Sequence, residues 1–542
     1  MHTVYVDIIV PVHNSADTIK ETVESALSQS IPDYLKVTNI KDKEIIDNYE
    51  RWPLTDDLLI DIAILCHDDG SDDDSLSILR KIVAHHDKSR DLSEATNIRT
   101  HVFIGSNEDG KARGAGSARN RAASLRPKYQ DLLEKDEDYF ISLLDSDDIM
   151  HPHKIANQIS VMLAIPKERR TNVLIGTTFD RIPKGSTWHY SNWANSLSDN
   201  RLALEKFREI TLLHPTWMMT RERFQQLGGY IESSDFDSDE FGQKNKNVYR
   251  LIHPKYDTID TLRLAEDLRL FYAHLFYPYN HETPSQGNGE LKLVRTFNPL
   301  FSYRHREGQS QSASTPRKLL LQLRAKAFVD TIVSRDEKWK HGFIIWGAGR
   351  DGKEFFKALP EFAKSLVKAF VDVDEKKIST GYYSVPKEVD QGDEKIIEKK
   401  KQKKEIYKIP IIHFSLIASC KHMREKLMSK WVNREDEEME LAGRISKAKP
   451  TISNISDTGN FDLPQKRKVE HGKESNKKVK PSPRMLHGIS KRDKENNSML
   501  KNNVFTKLPV VVCVAMYRTN GVLEKNCNMI GRIEGDDLWH FS

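Results

Sequence analysis

The chain has 542 residues, enough for two domains at roughly 100–200 residues each, and its 84 Lys/Arg against 79 Asp/Glu give a formal net charge of +5. Eleven Lys/Arg against three Asp/Glu fall between Pro464 and Lys494, so the rest is slightly acidic and its charge gives no support to a nucleic-acid partner. The longest apolar run, Leu508 to Met516, is far short of the roughly 20 residues that cross a bilayer; Met1 to Asp7 lacks the basic start of a secretory signal; and Cys66, Cys420, Cys513 and Cys527 have neither disulfide-framework nor zinc spacing.

These features exclude a membrane span by hydropathy and predict a cytoplasmic protein with reduced thiols. The apolar run Val4 to Pro11 predicts a strand, and Ser15 to Ser28, with Ile19, Val23, Ala26 and Leu27, predicts a helix after it. A second strand, Leu58 to Cys66, ends in the acidic turn His67 to Asp74 before a helical pattern through Leu76, Leu79 and Val83. A third, Thr100 to Ile104, leads through Gly110, Gly114 and Gly116 to a helix from about Ser117; a fourth, Tyr139 to Leu144, stops at Asp145-Ser146-Asp147-Asp148. Alternation of this kind predicts a parallel α/β sheet with its ligand site at the carboxyl ends of the strands. Insertions are expected between Ile31 and Leu58 and between Ser233 and Thr258.

The pattern restarts after a helix expected over Arg317 to Val333. Phe343 to Trp346 reads as a strand, Gly347 to Gly352 as a glycine turn, Glu354 to Leu359 as the start of a helix and Ala369 to Val373 as a strand. A Lys/Glu-rich run covers Gln391 to Glu405, a polar stretch from Arg434 to Asn503 reads as a disordered basic insertion, and the apolar run from Leu508 predicts that residues 505–542 complete the second sheet. The expected organisation is a first α/β domain over 1–315, a helical linker over 316–340, a Rossmann-like α/β domain from 341–433 and 504–542, and the insertion 434–503.

Each acidic turn, taken singly, reads as a loop held by its own Asx turns and helix caps. Two of them at the ends of successive parallel strands would converge on one edge and pool negative charge that calls for a divalent cation or for donor groups. The ordered series Ile9-Val10-Pro11-Val12-His13-Asn14, Asp68-Asp69-Gly70-Ser71, Gly114-Ala115-Gly116-Ser117-Ala118-Arg119-Asn120, Leu144-Asp145-Ser146-Asp147-Asp148 and Ala265-Glu266-Asp267 resembles the family 2 glycosyltransferases of the GT-A fold. The whole chain, through its glycine-turn region and the ending Gly535 to Phe541, resembles the β-1,3-N-acetylglucosaminyltransferase-like group, which implies UDP-GlcNAc as donor.

What the resemblance implies can be stated residue by residue. Asp147 of the D-x-D pair would bind Mn²⁺ or Mg²⁺ and Asp145 would lie near the ribose or a metal-bound water. Asp69, with Asp68, would accept a hydrogen bond from uracil, beside a base pocket formed by Pro11, Val12 and Asn14. Arg119 would reach the donor, and Gly114 and Gly116 would let backbone approach it. Asp267 would be the base of an inverting transfer, although Glu-Asp at a helix start is equally a partner of the helix dipole. His305, in Tyr303 to Ser310, would be a third metal or phosphate ligand or an exposed loop histidine. The Gln-x-x-Arg-Trp motif of processive members is absent, which implies addition of one sugar to an acceptor that is a glycan, a protein or a small molecule.

Gly347-Ala348-Gly349-Arg350-Asp351-Gly352, with Asp372 or Asp374 about 20 residues on, fits the dinucleotide G-x-G-x-x-G. The same glycines also serve close strand–helix packing, so a second nucleotide site at Gly347, Gly349, Gly352 and Asp372 competes with a purely architectural role. Lys466 to Lys480 resembles a bipartite nuclear signal, against a solvated disordered segment. Three functions remain in competition: a sugar-nucleotide transferase, a nucleotide-binding oxidoreductase built on 341–542, and an inactive scaffold that binds nucleotide sugar.

Overall fold

A computed structural model describes residues 2–36, 44–46, 49–90, 97–133, 137–232, 248–253, 257–277, 292–306, 315–387, 406–418, 504–514 and 522–541. The expected insertion 434–503, the run 391–405 and the Lys466–Lys480 motif lie outside these residues, as does most of 233–258.

Sixteen strands are described: β1 (His2–Val12), β2 (Glu44–Ile46), β3 (Tyr49–Arg51), β4 (Leu58–Asp68), β5 (Ile98–Ser106), β6 (Asp138–Leu143), β7 (Ile149–Met150), β8 (Val173–Ile182), β9 (Met218–Thr220), β10 (Lys292–Arg304), β11 (Phe343–Trp346), β12 (Val367–Asp372), β13 (Tyr382–Pro386), β14 (Ile406–His413), β15 (Val510–Val512) and β16 (Leu538–His540). Eight of them form one sheet in the order β5-β4-β1-β6-β9-β8-β10-β7. All eleven residues of β4 are buried, as expected of a central strand covered on both faces by helices. The register sets Val12 beside Asp68 and Ile9 beside Leu143, so the motifs after β1, β4 and β6 gather at one edge of the sheet.

The wholly parallel sheet expected from the first four strands is corrected in the other half. Strands β5, β4, β1 and β6 are parallel, but β9 runs antiparallel to both β6 and β8, and β7 antiparallel to β10. Both reversed strands are two or three residues long and follow tight turns, too short for periodicity to reveal. The segment expected as an insertion after Ile31 carries the hairpin β2–β3 and is anchored by Arg51, whose buried Nη1 donates to the backbone and side-chain carbonyls of Asn157, each at 3.0 Å.

Asp7, an acid inside an apolar strand, is fully buried. Arg126 Nη1 donates to it at 3.0 Å and the Tyr139 hydroxyl at 2.7 Å, and Arg221 also binds it. A buried carboxylate is tolerable only with partners of this kind.

The other long sheet has the order β13-β14-β12-β11-β15-β16, parallel except for β13. The helix expected over Arg317 to Val333 is α-helical from Arg317 to Phe328 and ends in a π-helical turn, Val329–Val333. The two sheets share a core. Phe207 packs at 5.3 Å from both Phe328 and Trp539, and against Tyr272 at 6.1 Å and Phe276 at 6.3 Å, so the last strand touches the helix Glu266–Leu275 through one ring. Removing Trp539, which is 5% exposed, should therefore cost about 3–5 kcal/mol, as large-to-small core changes do. Because its contacts belong to both sheets, Trp539→Ala is expected to lower a single melting transition in calorimetry. Two separated transitions, with only one shifted, would contradict the shared core.

Candidate functional site

The edge where β1, β4 and β6 end is built on interlocking turns. Asn14, held at φ 48°, accepts from Asp72 N–H on its side-chain carbonyl at 2.9 Å, while its own N–H donates to the Ser71 hydroxyl at 3.0 Å. Pro11 and Val12 are buried in β1, and the Val12 carbonyl accepts from Asp69 N–H at 2.7 Å. Asp68 accepts from Ser71 N–H at 3.2 Å and from the Ser71 hydroxyl, closing an Asx turn.

Asp69 is 4% exposed and holds the glycine loop. Its carboxylate accepts from Asn107 Nδ2 at 2.7 Å, Arg113 N–H at 2.9 Å and Gly114 N–H at 2.6 Å. Gly114, at φ 98°, adopts a conformation that favours glycine, and the helix Ala115–Ala122 starts after it. Gly116 has a different reason: a Cβ there would stand 3.1 Å from Tyr230 Cβ and 3.4 Å from Glu266 Cβ. Its absence lets this helix close on the segment that carries Glu266.

Arg119, on that helix, ties the site together. It is 3% exposed; Nη2 donates to Asp145 Oδ1 at 2.6 Å and Nη1 to Glu266 Oε1 at 3.1 Å. One guanidinium thus bridges the D-x-D pair to Glu266, a buried neighbour of Asp267. Its Cζ lies 5.4 Å from the centre of the Tyr230 ring, whose hydroxyl is 2.8 Å from His214 Nε2. Arg119 and Asp145 were legible as candidates from sequence order; the partnership with Glu266, across 147 positions, had no sequence signal.

Asp267 is part-exposed at the start of the helix Glu266–Leu275. Burial among protein atoms, and then the charge of Glu266, push its carboxyl up to about 7, while Leu268 N–H donates to Oδ1 at 2.7 Å. A carboxyl poised there exchanges protons at neutral pH, which suits a general base.

Asp147 is raised by burial and by the adjacent Asp145 charge, and opposed by Arg306, whose Nε lies 3.3 Å from Asp147 Oδ2. Arg304 donates to the Asp147 carbonyl at 2.7 Å and, through its N–H, to Asp148 Oδ1 at 2.8 Å. Asp148 is fully buried, with Oδ2 lacking a partner among the described residues, and is pushed well above the carboxylate range by burial and the two neighbouring acids. The basic loop after Tyr303 thus reaches the D-x-D pair through Arg304 and Arg306. His305, the residue singled out from sequence, donates its backbone N–H to Ile182 at 2.7 Å. The loop was legible; which of three consecutive basic residues meets the acid depends on strand direction, which composition does not carry.

Among the described residues, no group of three or more His, Cys, Asp and Glu side chains forms a metal cage, and no helix is long and apolar enough to cross a membrane. Two part-exposed carboxylates, Asp145 and Asp147, still suit an ion such as Mg²⁺, which keeps waters and takes its other ligands from substrate phosphates.

At the glycine turn of the second sheet, Gly347 has φ 116° and its N–H donates to Val371 at 2.8 Å, while a Cβ at Gly352 would collide with the Gly347 carbonyl. Among the described residues, a Cβ at Gly349 would have Lys377 Nζ at 3.8 Å. Asp372 accepts from Ala348 N–H at 2.8 Å, Lys377 Nζ at 3.0 Å, Val373 N–H at 2.9 Å and Asp374 N–H at 3.0 Å. With four donors the carboxylate serves to hold the turn against β12, which favours the architectural role of these glycines.

No protein-family model matches the chain. Among solved structures, the chain is similar to S. aureus TarS 1-349 in complex with UDP-GlcNAc, with 14% identity over 67% of this chain and 84% of that one and a TM-score of 0.32. It is also similar to the mannosyltransferase PcManGT of Pyrobaculum calidifontis in complex with GDP-Man and Mn²⁺, with 14% identity over 60% and 62% and a TM-score of 0.31. A third is glucosyl-3-phosphoglycerate synthase of Mycobacterium tuberculosis, with 14% identity over 61% and 88% and a TM-score of 0.27. These likenesses are partial, and the reading of the site rests on its side chains and their geometry.

Proposed function

We propose that the chain is a nucleotide-sugar glycosyltransferase of the GT-A fold, a family 2 member that moves one sugar to an acceptor hydroxyl with inversion. The observation that carries this reading is Arg119, which fastens Asp145 of the D-x-D pair to Glu266 and so brings Asp267 to the same edge of the sheet. The resemblance of the whole chain to the UDP-GlcNAc:β-galactose β-1,3-N-acetylglucosaminyltransferase-like protein 1 group supports UDP-GlcNAc as the donor.

In this reading Asp147, with Asp145, would hold Mn²⁺ or Mg²⁺, which when bound would supply positive charge against that of the departing diphosphate. Arg306 stands beside the Asp147 carboxylate and Arg304 beside the Asp147 backbone carbonyl, as further positive groups for that charge. Asp267 takes the proton of the acceptor hydroxyl as its oxygen bonds to the anomeric carbon. The bond to the diphosphate breaks with its electron pair going to UDP. Asp69, committed to the glycine loop, shapes the base pocket mainly through Arg113 and Gly114. Residues 1–315 form the transferase unit; 341–433 with 504–542 form a Rossmann-like companion joined to it by 316–340.

The test is a thermal shift with UDP, with and without Mn²⁺, since a ligand bound only by the native state raises its melting point. UDP is expected to stabilise the wild type only with the metal, and Asp147→Ala to abolish that dependence. Equal calorimetric binding of UDP by wild type and variant would remove Asp147 from the donor site.

A further inference from the structure

Both carboxylates of the D-x-D pair face a guanidinium, and the two arginines are held differently. Arg119 meets Asp145 at 2.6 Å from within a helix and has Glu266 as a second partner, so it is buried and fixed on two sides. Arg306 meets Asp147 Oδ2 through Nε at 3.3 Å, lies two residues beyond the end of β10 and is part-exposed. Its other anchor is neutral: Nη2 donates to the Thr18 hydroxyl, which itself donates to the Ser146 carbonyl at 2.9 Å.

Arg304 is tied down without using the Asp147 carboxylate. Its Nε donates to the Asp147 backbone carbonyl at 2.7 Å, Nη2 to Glu21 Oε2 at 2.6 Å and its N–H to Asp148 Oδ1 at 2.8 Å, and the next residue bonds through its N–H to the Ile182 carbonyl at 2.7 Å. None of these bonds involves Arg306, so the end of β10 stays fastened when that side chain turns away. A divalent cation and the Arg306 guanidinium compete for Asp147, because like charges repel at such range. Of the two arginines, Arg306 is the one able to yield. Turning it out delivers its charge to water and leaves a hydroxyl behind, whereas withdrawing Arg119 would strand Asp145 and the buried Glu266 without a counter-charge.

We propose that Arg306 is a resident competitor of the divalent cation, exchanged from Asp147 when the metal binds, and that its guanidinium then turns to the diphosphate of the donor. The inference rests on the transferase reading above for the identity of that anion. A guanidinium suits the second partner because its planar fork matches phosphate oxygens. Metal binding by itself would break an ion pair and replace it with nothing for Arg306, whereas metal and diphosphate together return a partner to it. Each therefore favours the binding of the other, as linkage requires.

The experiment titrates the full chain with Mn²⁺ alone, read by the paramagnetic resonance signal of the free ion, and with UDP in the absence and presence of Mn²⁺, read by calorimetry. Wild type is compared with Arg306→Ala and with Arg306→Gln, whose amide keeps hydrogen bonding without the charge. Without UDP both variants should bind Mn²⁺ at least about fivefold more tightly than the wild type, the lower end of ordinary coupling between sites, and Mn²⁺ should strengthen UDP binding by a smaller factor in them. The gain should vanish when Asp147→Ala is added to Arg306→Ala. A variant that melts like the wild type and binds Mn²⁺ no more tightly without UDP would overturn the exchange, as would a gain that persists without the Asp147 carboxylate. No uptake of Mn²⁺ by wild type or variants even with UDP would instead overturn the metal-dependent transferase reading, and the exchange with it.

Discussion

Asp267→Asn is expected to lower kcat by the roughly 10²–10⁴-fold attributed to a positioned base, with UDP-sugar affinity nearly unchanged. The amide keeps the size and much of the hydrogen bonding of the carboxyl but cannot take a proton. Because burial and Glu266 push the Asp267 carboxyl up to about 7, the base is protonated and idle below that pH. The wild-type kcat should therefore rise through about pH 7 and level off above it, and the residual rate of the variant should lose that limb. Stability should move the opposite way. A carboxyl raised in the native state binds its proton there more tightly than in the unfolded chain, so its contribution is greatest at acid pH and falls away as pH rises toward 7. Above that pH an ionised Asp267 opposes folding, and Asp267→Asn should melt at or above the wild-type temperature at pH 8. A variant with wild-type turnover would exclude Asp267 and direct attention to Glu266, the adjacent carboxylate.

The division between what the sequence discloses and what it withholds follows from interaction range. Strands β1, β4, β6 and β11 are legible because each is a short apolar run ended by polar turn residues, and the acidic turns after β4 and β6 come to one edge because both strands pair in parallel with β1 between them. Their local chemistry is legible as well: Asp68 does close an Asx turn on Ser71, and Asp73 accepts from Ser75 N–H at 3.0 Å. Partners brought together by the fold are not. Arg119 meets Glu266, Asp69 meets Gly114 and Asp372 meets Ala348 only once strands and helices are placed, and no periodicity encodes those meetings. Gly116 illustrates the limit. Sequence predicts that backbone must come close there, but what comes close is Tyr230 and Glu266.

Removing Arg119 should be the most damaging single change to the site as a folded object. Its guanidinium is held between Asp145 and Glu266, and burial of its side chain is outweighed by those charges, so that it remains a cation. Arg119→Ala would leave Glu266, which is 8% exposed, and Asp145 without their shared counter-charge. Deleting one member of a buried pair costs about 3–5 kcal/mol because the remaining charge stays desolvated. Arg119→Lys should recover only part of this, since one ammonium on a flexible stem does not reproduce two nitrogens set in a planar fork. Chemical denaturation should therefore rank wild type above Lys above Ala, and the proposed UDP binding in Mn²⁺ should weaken in the same order because Asp145 loses its anchor. If Arg119→Ala denatured at the wild-type midpoint, the bridge would contribute nothing to folding. The convergence of Asp145 and Asp267 would then have to be maintained by the packing of Gly116 against Tyr230 and Glu266 alone.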